Sequence, residues 1–318
     1  MTKKPFDVLV VGELNVDLIL FGMVQPPELG KEILADRMTL TMGSSSAIFA
    51  VNLAALGAKV AFAGRLGDDA FGRLVLESLQ KGGVDTRNII VDPSTPTGIT
   101  AVLGWGGDRS MVTYKGAMDD LKEADITGEM LTGARHLHVS SFYLQDGLRP
   151  GCASLFKRAH DAGLSTSFDT QWDPQETWQG VHEVLEHTDI FLPNDAEALA
   201  ITKTEKIEDA LAALHRSGRT VVVKAGEKGA WMRNADAKDF RVEQLLVNLV
   251  DAVGAGDTFD AGFVHARLKG YDDKSALAFA NAVAAHSVTA AGGTAALADR
   301  GATKQWLKQQ GFNGDLQG

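Results

Sequence analysis

Short apolar runs, each closed by Gly, Asp, Ser or Asn, alternate along this chain with amphipathic helical patterns, and that alternation limits the fold more than any other feature. The runs are "DVLVVG" from Asp7, "KVAFAG" from Lys59, "ARHLHVS" from Ala134, "LSTSFD" from Leu164, "DIFLPN" from Asp189 and "TVVVKAG" from Thr220. Their β-branched and aromatic content predicts strands. Between them lie "SSAIFAVNLAALG", "DAFGRLVLESLQKGG" and "CASLFKRAHDAG", helical in period and ending at glycine as a helix C-terminus prefers. Such alternation implies an α/β fold with a mainly parallel sheet covered on both faces. At 318 residues, one large domain over 1–318 is expected rather than two equal halves. Two segments break the rhythm, at about 18–42 and 97–116, and each reads as strands joined by Gly or Pro turns. Together they are expected to form a small β-flap, a lid over the C-terminal strand ends where α/β sheets bind ligands.

Composition narrows the function classes. A formal charge of -10 argues against a nucleic-acid partner, because affinity for the phosphate backbone comes from clustered Lys and Arg. No stretch approaches about 18 uninterrupted apolar residues, so no membrane span is expected. The opening "MTKKPFDVLVVGELNVD" runs from lysines into an apolar run, but Glu13, Asn15 and Asp17 interrupt it, and it reads as a buried strand rather than a signal peptide. The single cysteine, Cys152, excludes an internal disulfide framework and fits a cytoplasmic location.

Several catalytic signatures are absent. "HEVLEH" from His182 spaces its histidines five apart, whereas a zinc helix needs i and i+4. His136 and His138 share a strand face without an evident third ligand, and core packing is the better reading of His138. There is no G-x-S-x-G elbow, Walker A motif or protein-kinase set, and "VGELNVD" lacks the glycines of a dinucleotide fingerprint, which disfavours a dehydrogenase.

The stretch that carries chemistry is "DAVGAGDTFDAGF", Asp251 to Phe263. Gly254, Ala255 and Gly256 would present backbone N–H groups at a helix start, a seat for an anion. Asp257 follows directly. It either favours the first helical turn through the dipole, worth roughly 0.3–1 kcal/mol, or faces a group other than the anion. Phe259, Phe263 and Ala266 read as core packing, and Asp260 as a polar helix position. "VVVKAGEKGAW" is a strand, a glycine turn and a second strand, in which Lys224 either contacts phosphate or stands as a surface lysine.

Nearly the whole chain resembles the ribokinase-like carbohydrate kinases of the phosphofructokinase-B type. The resemblance rests on "DAVGAGDTFDAGF", on "MGSSSAIFAVNLAALGAKVAFAGRLGDDAFG" (Met42 to Gly72), on "PNDAEA" with Asn194 and Glu197, and on "ELNVD". It implies a three-layer sandwich with a lid, and transfer of the ATP γ-phosphoryl group to a sugar hydroxyl. By that resemblance Asp257 is the general base, and Gly254, Ala255 and Gly256 form the anion hole. Asn15, Asp17, Gly43 and Ser44 hold the acceptor. Asn194, Lys224, Gly226, Gly229 and Asn281 serve the nucleotide, and Glu197 orients Mg²⁺ through water. Asn194 also reads as a helix cap. Some relatives also use a monovalent cation near this turn, and by the resemblance Asp251 and Val253 would neighbour it here, with K⁺ as the ion.

The departures fall on the acceptor side. The family has glycine where Ser44 stands and asparagine where Ile48 stands. "SFDTQWDPQETW" is similar to a segment of fructokinase-like and ketodeoxygluconate-kinase-like relatives, except that Gln171 replaces their asparagine and their arginine is missing. With no Lys/Arg cluster assignable to a sugar phosphate, a non-phosphorylated pentose or hexose is expected. Trp105, Tyr114 or Phe142 as stacking partners keep a nucleoside open. A non-catalytic sugar sensor on the same fold is the rival from another class. Exposed lid edges imply a homodimer.

Overall fold

The computed structural model describes residues 4–106, 108–216 and 218–312. Residues 1–3, 107, 217 and 313–318 lie outside it, which takes in both ends of the domain assigned to 1–318 and one position of the 97–116 segment. The strands are β1 (Phe6–Val11), β2 (Asn15–Met23), β3 (Arg37–Met42), β4 (Val60–Gly67), β5 (Asp85–Asp92), β6 (Gly98–Trp105) and β7 (Asp108–Tyr114). They continue with β8 (Ala134–Val139), β9 (Ser165–Phe168), β10 (Ile190–Phe191), β11 (Thr220–Lys224), β12 (Ala230–Arg233) and β13 (Asp239–Val242). Nine of them form one sheet in the order β13-β12-β11-β10-β9-β8-β1-β4-β5, parallel except for the β11–β12 and β12–β13 pairs.

Alternation along the strands builds the layers. Leu9 and Val11 point into one core with the helices Cys152–Asp161 and Ile207–Leu214, while Val8 and Val10 point into the other with Ser45–Ala55. Phe259, Phe263 and Ala266 of the helix Ala255–Leu268 are buried in a third cluster, against Phe279 and Val283 of Asp273–Ser287. The result is a helix–sheet–helix sandwich, as the alternation requires.

The remaining strands form a separate four-stranded sheet, β3-β2-β6-β7. Asn15 and Asp17 therefore begin the first strand of this flap rather than ending β1, and Asp17 pairs with Thr41 on one side and Thr100 on the other. The edge strands β5 and β13 carry no long apolar run. Their residues are half-buried or exposed because only one neighbour and one face cover them.

The chain leaves β1 towards β4 and β5 and later returns on the other side as β8. Sequence order thus reverses between β1 and β8, and open α/β sheets place their ligand crevice beyond the carboxyl ends of strands at such a reversal.

Candidate active site

Each polar residue of the site follows the C-terminal end of a sheet strand or starts a helix there. Glu13 follows β1, Ser140 and Ser141 follow β8, Asp169 and Gln171 follow β9, Asn194 follows β10, and Lys224 ends β11. The helix Ala255–Leu268 aims its N-terminus at the same crevice. Gly254, in the left-handed region at φ 72°, caps it. A Cβ at Gly254 would lie 2.9 Å from Gly293 Cα and 3.0 Å from Ile48 Cγ2, so close packing as well as backbone conformation demands glycine. The Asp251 carboxylate braces the turn by accepting from Val253 N–H at 3.0 Å and Gly292 N–H at 2.9 Å.

Asp257 is buried in the first turn of this helix. Its Oδ1 accepts from Gln171 Nε2 at 3.1 Å. Burial foremost, then the Asp169 charge, push its carboxyl up to about 7, against the opposing pull of Lys224. One turn on, Asp260 is 1 % exposed, which corrects its reading as a polar helix position: its Oδ2 lies 2.9 Å from Lys224 Nζ. The same ammonium lies 2.9 Å from Asp169 Oδ2. Lys224 is therefore no surface lysine. Burial opposes its charge, but Asp169, Asp260 and Glu197 outweigh that cost and keep it protonated. Its Nζ comes within 3.7 Å of where a Gly256 Cβ would stand.

Asn194 and Glu197 form a reciprocal cap on the helix Asp195–Thr202. Glu197 N–H donates to Asn194 Oδ1 at 2.8 Å, and Asn194 N–H donates to Glu197 Oε2 at 2.9 Å. Asn194 Nδ2 also donates to Glu197 Oε1 at 2.6 Å. Glu197 is buried, and desolvation followed by the Asp169 charge raises its carboxyl to about 7.

Beyond β11, Gly226 and Gly229 turn the chain at φ 53° and 78°. A Cβ at Gly229 would fall 1.9 Å from Val242 O. Asn281 donates to Glu243 O at 2.9 Å, tying the helix Asp273–Ser287 to the start of a segment that exposes Leu246, Leu249 and Val250.

On the flap side, Asn15 Nδ2 donates to Asp17 Oδ1 and to Thr100 Oγ1, both at 3.1 Å. Burial lifts the Asp17 carboxyl to about 6, opposed by the Asn15 bond and by Arg109. Gly43 closes this corner, since a Cβ there would sit 2.3 Å from Asp17 Oδ1. Ser44 adopts φ 72°, a conformation suited to glycine, and pays for it with two bonds: its hydroxyl donates to Glu13 O at 2.6 Å and accepts from Ala47 N–H at 2.9 Å, capping Ser45–Ala55.

A match to the pfkB family carbohydrate kinase model runs over residues 6–300. The chain belongs to the pfkB family of carbohydrate kinases. This pfkB kinase is 31% identical over 274 residues to "Probable fructokinase-5" of Arabidopsis thaliana, covering 80% of this chain and 84% of that one. It is 27% identical to ribokinase of Bacillus subtilis (strain 168), over 95% of this chain and 99% of that one. Among solved structures it is similar to Arabidopsis thaliana ribokinase complexed with ribose and ATP, at TM-score 0.83 and 27% identity over 95% and 99% of the two chains. A "putative Ribokinase II in complex with ATP and Mg+2" from E. coli matches with TM-score 0.83 and 27% identity, over 96% and 99%.

In this pfkB kinase Phe142 is 1 % exposed and packs edge-on against Tyr143 and Phe168, so it cannot stack on a ligand. His138 is a core residue stacked on Phe49 at 3.6 Å. Sequence reasoning passed over Glu13. Its carboxylate accepts from the Ser46 amide and hydroxyl and from Ser141 Oγ, and burial raises its pKa. A signal was present, because a carboxylate directly after the first strand of an α/β sheet stands at the reversal point whenever the strand order turns there.

Among the described residues no cluster of three or more His, Cys, Asp or Glu can hold a metal directly. Four carboxylates, of Asp169, Glu197, Asp257 and Asp260, nevertheless surround the Lys224 ammonium, and Asp260 Oδ1 is buried without a hydrogen-bond partner. An oxygen-rich, acid-rich site of this kind fits Mg²⁺ held mainly through its own waters and substrate phosphates.

Proposed function

We propose that this carbohydrate kinase transfers the γ-phosphoryl group of ATP to a hydroxyl of a small non-phosphorylated pentose or hexose. The observation that carries the reading is the Asp257 carboxylate, buried directly behind the Gly254–Gly256 turn with its pKa near 7. A carboxylate poised at that value suits a general base near neutral pH. The E. coli structure with ATP and Mg²⁺ and the Arabidopsis ribokinase with ribose and ATP support the same donor and acceptor class.

Asp17 and Asn15 fix the sugar through its hydroxyls, and the absent Cβ of Gly43 makes room for those two side chains to lie where they do. Asp257 takes the proton of the acceptor hydroxyl as its oxygen bonds to Pγ. The Pγ–O bond to the β-phosphate breaks in line, and ADP leaves with that electron pair. The N–H groups of Gly254 and Gly256 stabilise charge on the equatorial oxygens, aided by the dipole of a 14-residue helix, whereas the Ala255 N–H expected beside them donates to Ala252 O at 3.3 Å. Asn194 and Glu197 would hold Mg²⁺ through its waters, and the ion when bound would offset the charge of the phosphates. Gly226, Gly229 and Asn281 border the nucleotide, with Lys224 acting behind the anion hole through its carboxylate partners. ATP as donor favours a cytoplasmic location. Among the described residues no helix is long and apolar enough to cross a membrane.

The test is Mg²⁺-dependent ATP consumption over a panel of free sugars and nucleosides. Turnover with at least one free pentose or hexose is expected. Turnover with nucleosides alone would replace the acceptor class, and binding without any turnover would favour the sensor.

A further inference from the structure

Gln171 stands in the left-handed region at φ 54°, a conformation that costs a non-glycine residue stability and marks functional positions when the surroundings hold it. Here the holder is Asp169, whose Oδ1 accepts from Gln171 N–H at 3.2 Å. The strained backbone delivers the side-chain amide between two carboxylates: Nε2 donates to Asp169 Oδ2 at 3.0 Å and to Asp257 Oδ1 at 3.1 Å. Asp169 Oδ2 is in turn fixed by Lys224 Nζ at 2.9 Å, and Lys224 by Asp260 Oδ2 at 2.9 Å. Asp169 and Asp260 are each 1 % exposed at the side chain, which weakens the competition of water for their carboxylates.

We propose that Gln171 is the positioning residue of the reaction, the link that ties the Asp257 carboxylate to the buried Asp169–Lys224–Asp260 ion cluster and so sets which way it faces the acceptor hydroxyl. This inference rests on the reading of Asp257 as general base. An amide is suited to the place because both of its N–H bonds point at carboxylates, and a carboxylate side chain there would add a third negative charge. The cluster is held by several bonds at once, and Gln171 is the bond by which it holds Asp257, whose other side-chain partner is the Ser45 hydroxyl. A base turned away from its proton loses rate without losing affinity.

The test compares wild type with Gln171→Met, which keeps the length and removes both donors, and Gln171→Asn, which keeps the amide one methylene shorter. Initial rates are measured with Mg-ATP and D-fructose or D-ribose, whichever the wild type turns over faster, across about pH 5 to 9. The groups facing Asp257 are Asp169 and Lys224 from the strand ends, Glu13 after β1, Glu197 on its helix and the Ser45 hydroxyl. All of them remain in both variants. Gln171→Met is expected to lower kcat by about tenfold or more with both KM values within about twofold. Its acid limb should move to higher pH, because a donor to the charged form of Asp257 is gone. Gln171→Asn should recover part of the rate and move the limb back. Unchanged kcat in Gln171→Met overturns the proposal, as does a rate loss that tracks a fall in Tm while the acid limb stays in place. Asp257→Asn in the same assay separates the two readings. If it turns over normally, the base assignment and this role fall together; if it is slow while Gln171→Met is normal, only the role of Gln171 falls.

Discussion

Asp257 titrates in the folded protein at about 7 against an ordinary value of 3.8, and two consequences of opposite sign follow. The proposed base would work only when ionised, so kcat should rise through about pH 7 and level off above it. Replacement by Asn should lower kcat by about 100-fold or more while ATP still binds, which steady-state rates and nucleotide titration will read. For stability the sign reverses, because the folded state holds the proton more tightly than the unfolded chain. That contribution is complete below about pH 4 and is lost as pH rises through about 7. Asp257→Asn avoids burying the ionised group. The Tm of the variant relative to wild type should therefore be higher near pH 8 than near pH 5, measured by thermal melts of both proteins. Lys224 poses the complementary case. Lys224→Met leaves Asp169 and Asp260 buried without their cation, and denaturant unfolding should show a loss of about 3–5 kcal/mol.

At the scale of elements, the helices that build the site differ in how their first turns are satisfied. Ser45–Ala55 relies on the Ser44 hydroxyl, which is held at a positive φ by its bond to Glu13 O. Ser44→Ala keeps the backbone strain and removes the cap, so a destabilisation of about 1–2 kcal/mol is expected in urea titration. Asp195–Thr202 uses its own Asn194 and Glu197, a local N-x-x-E pattern readable from sequence because cap and partner lie three residues apart. Ala255–Leu268 has no side-chain cap; its Ala255 N–H donates to Ala252 O at 3.3 Å, and the next amide, of Gly256, is the one left for an anion. The flap was legible as Gly- and Pro-punctuated strands. Its inclusion of Asn15 and Asp17 was not, because an apolar run with a polar interruption reads the same whether one strand or two pass through it.

For the whole molecule, the flap is the unfinished surface. Met38 on β3 and Met111 and Val112 on β7 are 63%, 63% and 64% exposed, and β3 and β7 are the free edges of their sheet. An apolar sheet with two open edges favours pairing with a second copy. We expect a homodimer that Val112→Lys dissociates, as sedimentation velocity will read, with the sandwich core unaltered.

The sequence by itself determined the layered α/β architecture, the small-residue turn that opens a helix at Gly254 and the family, because periodicity, turn chemistry and motif spacing are local properties. Only the tertiary structure decided which carboxylates share the Lys224 ammonium, that Glu13 sits at the strand-order reversal, and that Gln171 reaches Asp257 across 86 residues of chain. Burial sets those pKa values and pairings. It is a property of what packs around a side chain, which no single stretch of sequence specifies.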